Sequence, residues 1–245
     1  TEMEIVAQEE TTDPEDIFVR NGNVITGLKE GVNVTELVIP EGVTEIAASA
    51  FNNKGITKVT LPESLVVIGG SAFARNALTE ITIPKNVTTI GSYAFDGNGS
   101  LTSVKVESSK ITSCENMIFR DCNINSISLP EEMLILPKLF NSAGMQIGTK
   151  VTIPAGVQVI GDSAFSGTNL KEVIFAGNEL TEIQGSAFAN CKIEEISLPE
   201  SLEIIGWSVF KGNASTEITI PKNVTIYKNK RNYCKTCCVA VIDRL

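Results

Sequence analysis

The chain of 245 residues contains no histidine. Because histidine is the commonest general base, proton shuttle and metal ligand near neutral pH, its absence excludes Ser–His and Cys–His nucleophile pairs. Aromatic residues are only 6% of the chain, and ten of them are phenylalanine. No apolar run approaches the roughly 20 residues of a membrane-spanning helix. No basic-then-apolar leader is seen either, so an exported protein would be represented here in its mature form.

Charge is distributed unevenly along the chain. The sequence has 20 basic and 29 acidic side chains, for a formal net charge of −9. Residues 1–16 contain seven of the acidic side chains and no basic one, which leaves 22 acidic and 20 basic side chains elsewhere. We expect this segment to be a disordered, solvated tail or linker. The absence of a basic patch argues against nucleic acid as a partner.

Two residue types recur in phase. The phenylalanines are Phe51, Phe73, Phe95, Phe119, Phe140, Phe165, Phe188 and Phe210. The prolines are Pro40, Pro62, Pro84, Pro130, Pro154, Pro199 and Pro221. Each proline keeps the same distance from the phenylalanine that follows it, except that the interval from Pro130 to Phe140 is shorter by one position. Such a period indicates a repeat architecture in which no copy buries its apolar side alone, so that successive copies must stack.

The aligned repeat reads L-T-x-I-x-I-P-x-x-V-x-x-I-G-x-x-A-F-x-x-N. Its x-I-x-I segment alternates polar and apolar residues, which predicts a strand with one buried face, and the proline ends the pairing. We expect V-x-x-I-G to turn the chain, with its glycine available for a positive φ or a close backbone approach. The S-x-A-F segment fits a short helical turn. The inward column five residues before each phenylalanine holds Ile46, Ile68, Ile90, Cys114, Ile135, Ile160, Ile183 and Ile205.

Over about residues 31–225, this pattern resembles the BspA-type (Treponema-pallidum-type) leucine-rich repeat, L-x-x-I-x-I-P-x-x-V-x-x-I-x-x-x-A-F-x-x-C. The resemblance implies an α/β solenoid, a right-handed leucine-rich-repeat coil with a parallel β-sheet on its concave face. Most of it would be strand and loop, with short helical turns. The resemblance also implies a bacterial surface or secreted protein of a family linked to adhesion.

Four segments are predicted along the chain. Residues 1–16 form the acidic tail or linker, 17–30 an N-terminal hairpin cap, 31–225 about eight to nine repeats, and 226–245 an atypical C-terminal cap or tail. The hairpin is predicted because two strand-like runs flank Asn21-Gly22, and Asn-Gly is the strongest short hairpin signal. At the other end, the repeat pattern fails after Val224.

The six cysteines fall into two groups. Cys114, Cys122 and Cys191 occupy columns of the repeat and are predicted to be packed thiols. The column three residues after phenylalanine holds Asn76, Asn98, Cys122, Cys191 and Asn213. The second group lies after the repeats and consists of Cys234, Cys237 and Cys238. Three interpretations of this group stay open: a terminal segment without function, a disulfide or mixed disulfide, and a metal or lipid-type attachment. A lone C-x-x-C is a weak zinc signal, and no metal site is predicted.

The outward strand positions are the candidate ligand-facing residues. They are Glu36, Lys58, Glu80, Lys105, Lys150, Glu172, Ile174, Glu195 and Glu217. Because neighbouring strands lie about 4.8 Å apart, Glu36, Lys58 and Glu80 are predicted to form an alternating charge ladder. Glu172 and Glu195, with Glu217, instead stack like charges, which costs stability unless a cation or a basic partner neutralises them. An ordinary solvated sheet face without a ligand is the alternative.

These observations predict a protein that is not an enzyme and that uses no cofactor and no metal. The predicted function is non-enzymatic binding of a host or bacterial surface protein or glycan, at the cell surface or outside the cell, without a membrane span. The alternative is a structural spacer or scaffold, in which the repeats are a fragment of a larger surface protein.

Overall fold

A computed structural model describes residues 17–141, 146–148, 150–215, 218–228 and 233–234. The described residues form strands and turns, without an α-helix. The chain winds through successive turns that each contribute one phenylalanine to a continuous stack, from Phe51 to Phe210. This is the predicted parallel-strand solenoid.

The first strand set contains the x-I-x-I segments. It consists of β3 (Glu36–Val38), β5 (Lys58–Thr60), β7 (Glu80–Ile83), β9 (Ser103–Val106), β12 (Ser126–Ser128), β15 (Lys150–Ile153), β17 (Glu172–Phe175) and β19 (Glu195–Ile196). Parallel pairing joins β3 to β5. It also joins β9 to both β7 and β12, and β17 to both β15 and β19. The predicted alternation holds, since β7 and β15 both read exposed–buried–exposed–buried.

The second strand set lies where a turn was predicted, at V-x-x-I. It consists of β4 (Glu45–Ile46), β6 (Val67–Ile68), β8 (Thr89–Ile90), β10 (Ser113–Cys114), β13 (Ile135–Leu136), β16 (Val159–Ile160), β18 (Glu182–Ile183) and β20 (Ile204–Ile205). The turn prediction was incomplete because each strand has only two residues, too few to show an alternation. Pairing is parallel from β4 to β10 and again from β13 to β20.

The remaining strands lie at the ends and at one irregular junction. They are β1 (Phe18–Asn21), β2 (Val24–Leu28), β11 (Asn123–Ile124), β14 (Gln146–Ile147), β21 (Ile226–Lys228) and β22 (Tyr233–Cys234). β1 and β2 form the hairpin predicted around Asn21-Gly22, and β2 pairs with β4 of the first repeat. The boundaries of the four predicted segments stay a prediction.

The segment around each phenylalanine, here called the phenylalanine turn, consists of successive turns rather than the predicted short helix. Backbone N–H groups at alternate residues donate to the next turn, as Ser71 does to Ser92 O at 2.8 Å and Phe73 to Ala94 O at 2.8 Å. This alternation requires a left-handed backbone at Ser71, whose φ is 55°, and at Arg75, whose φ is 56°. The turn thus adds a third hydrogen-bonded face to the stack.

The glycine of V-x-x-I-G serves a close approach between turns, the second of the two roles predicted for it. A Cβ atom on Gly69 would lie 2.5 Å from the backbone nitrogen of Ala48 in the previous turn. A Cβ atom on Gly91 would lie 2.5 Å from the nitrogen of Gly70. The left-handed conformation predicted as the other option is instead adopted by residues such as Ser71, two residues further on.

The phenylalanines form the centre of the core. The seven phenylalanines of the column from Phe51 to Phe188 are fully buried, and Phe210 is half-buried. Centroids of adjacent rings lie 5.3 to 6.0 Å apart, and the rings are near-parallel throughout this stack. At the N-terminal end, the Phe18 ring meets Phe51 edge-on, at 6.1 Å and 77°. The hairpin therefore covers the first ring of the stack.

An asparagine column runs beside the rings. The Asn98 side-chain amide donates to the carbonyl of Phe95 in its own turn at 2.7 Å and to that of Phe73 in the previous turn at 3.0 Å. Its carbonyl accepts the N–H of Leu78 at 3.1 Å. Asn76 and Asn213 bond in the same way. Each such asparagine therefore satisfies buried backbone groups of two successive turns.

One residue of the inward column was predicted wrongly. Ile135 was placed in the core, but it is 57% exposed, and the adjacent Leu136 is buried instead. The cause is the interval from Pro130 to Phe140, which is one position shorter than the interval from Pro154 to Phe165. The missing position falls after Leu136, so a column counted backwards from Phe140 is out of register by one.

We expect Asn98→Ala to lower the free energy of unfolding by about 1–3 kcal/mol, because it leaves the buried N–H of Leu78 without its partner. It also removes one of the two donors from the carbonyls of Phe73 and Phe95, which keep Asn76 and Cys122. Asn98→Cys should cost less, since a thiol at this column still donates to the preceding carbonyl, as Cys122 does to Phe95 O at 3.3 Å. Urea unfolding followed by circular dichroism measures both. The matched control is Asn86→Ala at a more exposed asparagine bonded to Glu63 O, expected below about 1 kcal/mol. Equal losses for Asn98→Ala and Asn86→Ala would contradict the role of the column.

Candidate functional site

The outward side chains of the first strand set form the candidate site, here called the strand face. Alternation along each strand sends one residue into the core and the next outward. Most of the outward side chains are exposed, including Glu36, Lys58, Glu80, Lys105, Lys150, Glu172 and Glu195. The face is thus a charged surface that the core does not use.

Its N-terminal half contains part of the predicted charge ladder. Glu36 lies directly opposite Lys58 in the register of β3 and β5. Glu80 lies on β7, which is hydrogen-bonded to β9 rather than to β5. Lys105 forms an ion pair with Glu107, two residues further along the same turn. The Lys105–Glu107 pair is partly exposed, and surface ion pairs contribute about 0–1 kcal/mol. Because Glu36, Lys58 and Glu80 are also exposed, the charges of this half are accessible to solvent.

The C-terminal half brings together the predicted acidic residues. Glu172 lies directly opposite Glu195 in the register of β17 and β19. Lys150, on the other side of Glu172, forms an ion pair with it at 3.2 Å. The sequence interpretation considered the glutamates without this lysine, which neutralises part of their charge. Glu217 lies outside the described residues.

A shallow depression of about 650 Å³ lies beside these glutamates. β15 pairs with all four residues of β17, whereas the pairing of β17 with β19 ends at Val173 and Ile196. Beyond that point, the half-buried Ile174 and Phe175 line the depression. The result is an apolar floor next to two carboxylates, open to solvent.

A tight ion pair lies in the phenylalanine turns, away from the strand face. The Arg120 guanidinium donates to both carboxylate oxygens of Asp96, at 2.7 and 2.8 Å, and lies 4.8 Å from the centre of the Tyr93 ring. The hydrogen bonds to Asp96 raise the pKa of Arg120. Because bidentate pairs of this kind fix geometry, we assign this cluster to joining two successive turns.

The three cysteines within the repeats are packed thiols, as predicted. Cys122 and Cys191 are buried and Cys114 is half-buried. Desolvation raises the pKa of Cys114 to about 12 and that of Cys122 to about 12. Burial also raises the pKa of the Cys191 thiol. None of the three thiols is therefore a nucleophile near neutral pH.

Of the three terminal cysteines, the structure describes one. Cys234 lies in β22, while Cys237 and Cys238 lie outside the described residues. Among the residues that the structure describes, no three metal-ligating side chains lie close enough together to hold an ion. Over the same residues, no helix is long and apolar enough to cross a membrane.

Comparison with protein families identifies the architecture. A model described as the BspA type leucine-rich repeat region matches residues 28–147 and 135–240, in six copies. The chain belongs to the BspA-type leucine-rich repeat family. The family resemblance inferred from the proline and phenylalanine columns is thereby confirmed.

Solved structures of bacterial leucine-rich repeat proteins match at low identity. The pneumococcal vaccine antigen PcpA is 20% identical, over 84% of this chain and 62% of that one, with a TM-score of 0.41. A leucine-rich cell surface protein from Faecalibacterium prausnitzii A2-165 is 20% identical, over 81% and 61%, with a TM-score of 0.32. A leucine-rich repeat protein from Bacteroides ovatus ATCC 8483 is 20% identical, over 86% and 88%, with a TM-score of 0.33.

This chain spans about three fifths of the length of the first two of these proteins. No curated protein matches it.

We expect the thiols of Cys114, Cys122 and Cys191 to be unreactive in the folded protein. The pKa of Cys114 and of Cys122 is about 12, so only about one of these thiols in ten thousand is ionised at pH 8. Burial raises the pKa of Cys191 as well. The measurement is labelling with a chromogenic disulfide at pH 8, in a variant with Cys234→Ser, Cys237→Ser and Cys238→Ser. All three thiols should react in urea and none within the same time without it. Rapid labelling of Cys122 in the folded protein would contradict this packing.

Proposed function

We propose that this protein is a non-enzymatic binding module whose strand face contacts another protein or a glycan. The observation that carries the proposal is the row of exposed, mostly charged side chains held by the first strand set. Backbone pairing fixes their spacing, so a partner would meet a preorganised surface and order few side chains on binding. None of these side chains is needed for the core.

The open shape of the strand face favours binding over catalysis. The pair Glu172 and Glu195 would be the natural acid and base of a hydrolase, but the depression beside it is shallow. Catalytic sites work best where water is excluded and where the pKa values of two carboxyl groups are pushed apart. A flat, polar and wet surface is instead typical of protein and glycan contact.

We propose a basic partner for the C-terminal half of the strand face. Lys150 offsets part of the charge of Glu172, while Glu195 lies directly opposite Glu172. Bringing a lysine or arginine side chain to this place would relieve the repulsion between like charges. The adjacent apolar floor at Ile174 and Phe175 suits the aliphatic part of such a side chain.

The location that we propose is the bacterial surface or the extracellular medium, and this rests on the family. A second candidate is a spacer or scaffold that holds another domain away from the cell. The chain's coverage of about three fifths of PcpA and of the F. prausnitzii protein is compatible with a fragment of something longer. Coding sequence that flanks this chain distinguishes the two, since a wall or lipid anchor with further domains favours the spacer.

Binding to an array of host matrix proteins, mucins and bacterial surface extracts tests the proposed function. We expect the folded chain to bind at least one component and the binding to weaken as ionic strength rises, because the surface is charged. An array without any binding component would contradict the binding module and leave the spacer.

For whichever component binds, the triple variant Glu172→Gln, Glu195→Gln and Glu217→Gln should weaken binding about tenfold, as expected for loss of a few exposed charge contacts. The matched control removes three exposed glutamates elsewhere, by Glu30→Gln, Glu132→Gln and Glu203→Gln. Both triple variants change the net charge equally, so a difference in binding between them must come from the positions of the glutamates. Unchanged or tighter binding of the first triple, measured by surface plasmon resonance, would reject the acidic site.

A further inference from the structure

Hydrogen bonds between turns follow a strict pattern along the second strand set. At each regular junction, three N–H groups of one turn donate to the turn before. Between β6 and β8, for example, Thr88 and Thr89 donate to Val66 O at 2.9 and 3.3 Å, and Gly91 donates to Ile68 O at 2.8 Å. The same three bonds join β2 to β4, β4 to β6, β8 to β10, β13 to β16, β16 to β18, and β18 to β20. Each turn is thus tied to its neighbour along this face.

The junction between β10 and β13 lacks all three bonds, although the structure describes every residue concerned. Neither Leu134 nor Ile135 donates to Thr112, and the sheet ends at β10 and begins again at β13. The third bond cannot form, because the position equivalent to Gly91 is occupied in this turn by Pro137, and proline has no backbone N–H group. We call the junction between the turns of Phe119 and Phe140 the seam.

The phenylalanine turns are also unpaired at the seam. In regular turns, the residue two before the phenylalanine, the phenylalanine and the residue two after it each donate to the next turn, as Tyr93, Phe95 and Gly97 do. Within the described part of the chain, Met117 and Phe119 make no such bond. The turn that would accept them is one position short between Pro130 and Phe140, so its carbonyls are out of step.

The first strand set stays paired across the same junction. β9 and β12 pair in regular register, with Ile127 opposite Val104. Asn125 donates to Thr102 O at 2.8 Å, which extends this pairing by one bond. The rings of Phe119 and Phe140 still stack, at 5.9 Å, and a side-chain bond joins Lys138 to Asn116. After the phenylalanine turns, β11 also pairs with β14 in parallel, and Gly148 donates to Ile124 O at 2.6 Å. Because β11 directly precedes β12 in the chain, both pairings lie at the same edge of the seam. The two halves are therefore hydrogen-bonded through their backbones at β9–β12 and β11–β14, and only packed together from β10 to Phe119.

From this geometry we infer a built-in joint, at which the solenoid opens along the seam. The β9–β12 and β11–β14 pairings form the hinge, and the unpaired β10–β13 face is the side that opens. Opening breaks no backbone hydrogen bond on that side, because none is formed there. Each of the seven regular junctions named above would lose three. Local opening follows the weakest set of contacts, so the chain behaves as two stiff halves rather than one rod. The joint lies between Lys105 and Lys150, and its motion would change how the two halves of the strand face are presented to a partner.

Hydrogen exchange with fragment-level mass spectrometry tests this inference on the unaltered chain, and it does not depend on any ligand. We expect the amides of Leu134, Ile135 and Phe119 to exchange at least about tenfold faster than their equivalents at regular junctions. The equivalents are Gln158, Val159 and Phe73, and the intrinsic exchange rate of each local sequence is divided out before the comparison. Equal protection at the seam and at regular junctions would overturn the joint.

A repair variant tests the cause. Pro137→Gly with one glycine inserted after it restores both the N–H donor and the interval found between Pro154 and Phe165. We expect the seam amides of this variant to slow to the rates of regular junctions, while those of β16 and β18 stay unchanged. A repaired chain that folds and still exchanges rapidly at the seam would overturn the assignment of the joint to Pro137 and the short turn. A variant that loses protection throughout would also count against it, since repair should stabilise the stack.

Discussion

The structure depends on contact between one turn and the next, because no turn has a core of its own. A single copy buries one phenylalanine and three or four aliphatic side chains only when another copy covers them. Each such side chain contributes about 1.5–3 kcal/mol once buried, so the aliphatic columns together with the stacked rings from Phe51 to Phe188 supply most of the favourable free energy. The asparagine column then provides hydrogen-bond partners for the backbone N–H and C=O groups that stacking buries. Stability of this kind is a sum over neighbouring turns, which explains why one defective junction does not unfold the stack.

Much of this was predictable from the sequence because inward positions repeat in phase. The phenylalanine and isoleucine columns were placed correctly in most turns, and the family resemblance was drawn from the repeat that contains them. The two-residue strands of the second set were not predicted, since a pattern of period two is invisible over two residues. The left-handed backbone of serines such as Ser71 was not predicted either, because glycine was expected where φ is positive. The shorter interval from Pro130 to Phe140 is visible in the sequence, but the inward column was counted backwards from Phe140, which placed Ile135 instead of Leu136 in the core.

The candidate site was less predictable than the core. Alternation along the first strand set placed Glu172 and Glu195 correctly on the exposed side, and the register brings them face to face. The ion pair between Lys150 and Glu172 depends on side-chain geometry between strands, which the sequence alone does not specify. The depression at Ile174 arises because β19 is shorter than β17. A repeat protein thus separates its tasks: inward columns fix the stack, and outward positions are free to vary with the partner.

A deep substitution scan for folding, read out by protease resistance over residues 17–225, tests this separation most directly. The account predicts sensitivity that recurs with the repeat, with peaks at the phenylalanine column, the isoleucine column and the Asn98 column. It predicts tolerance at Glu36, Lys58, Glu172 and Glu195, where charge and size should matter little to folding. Sensitivity without the period of the repeat, or losses at the outward positions as large as those at the phenylalanines, would contradict it.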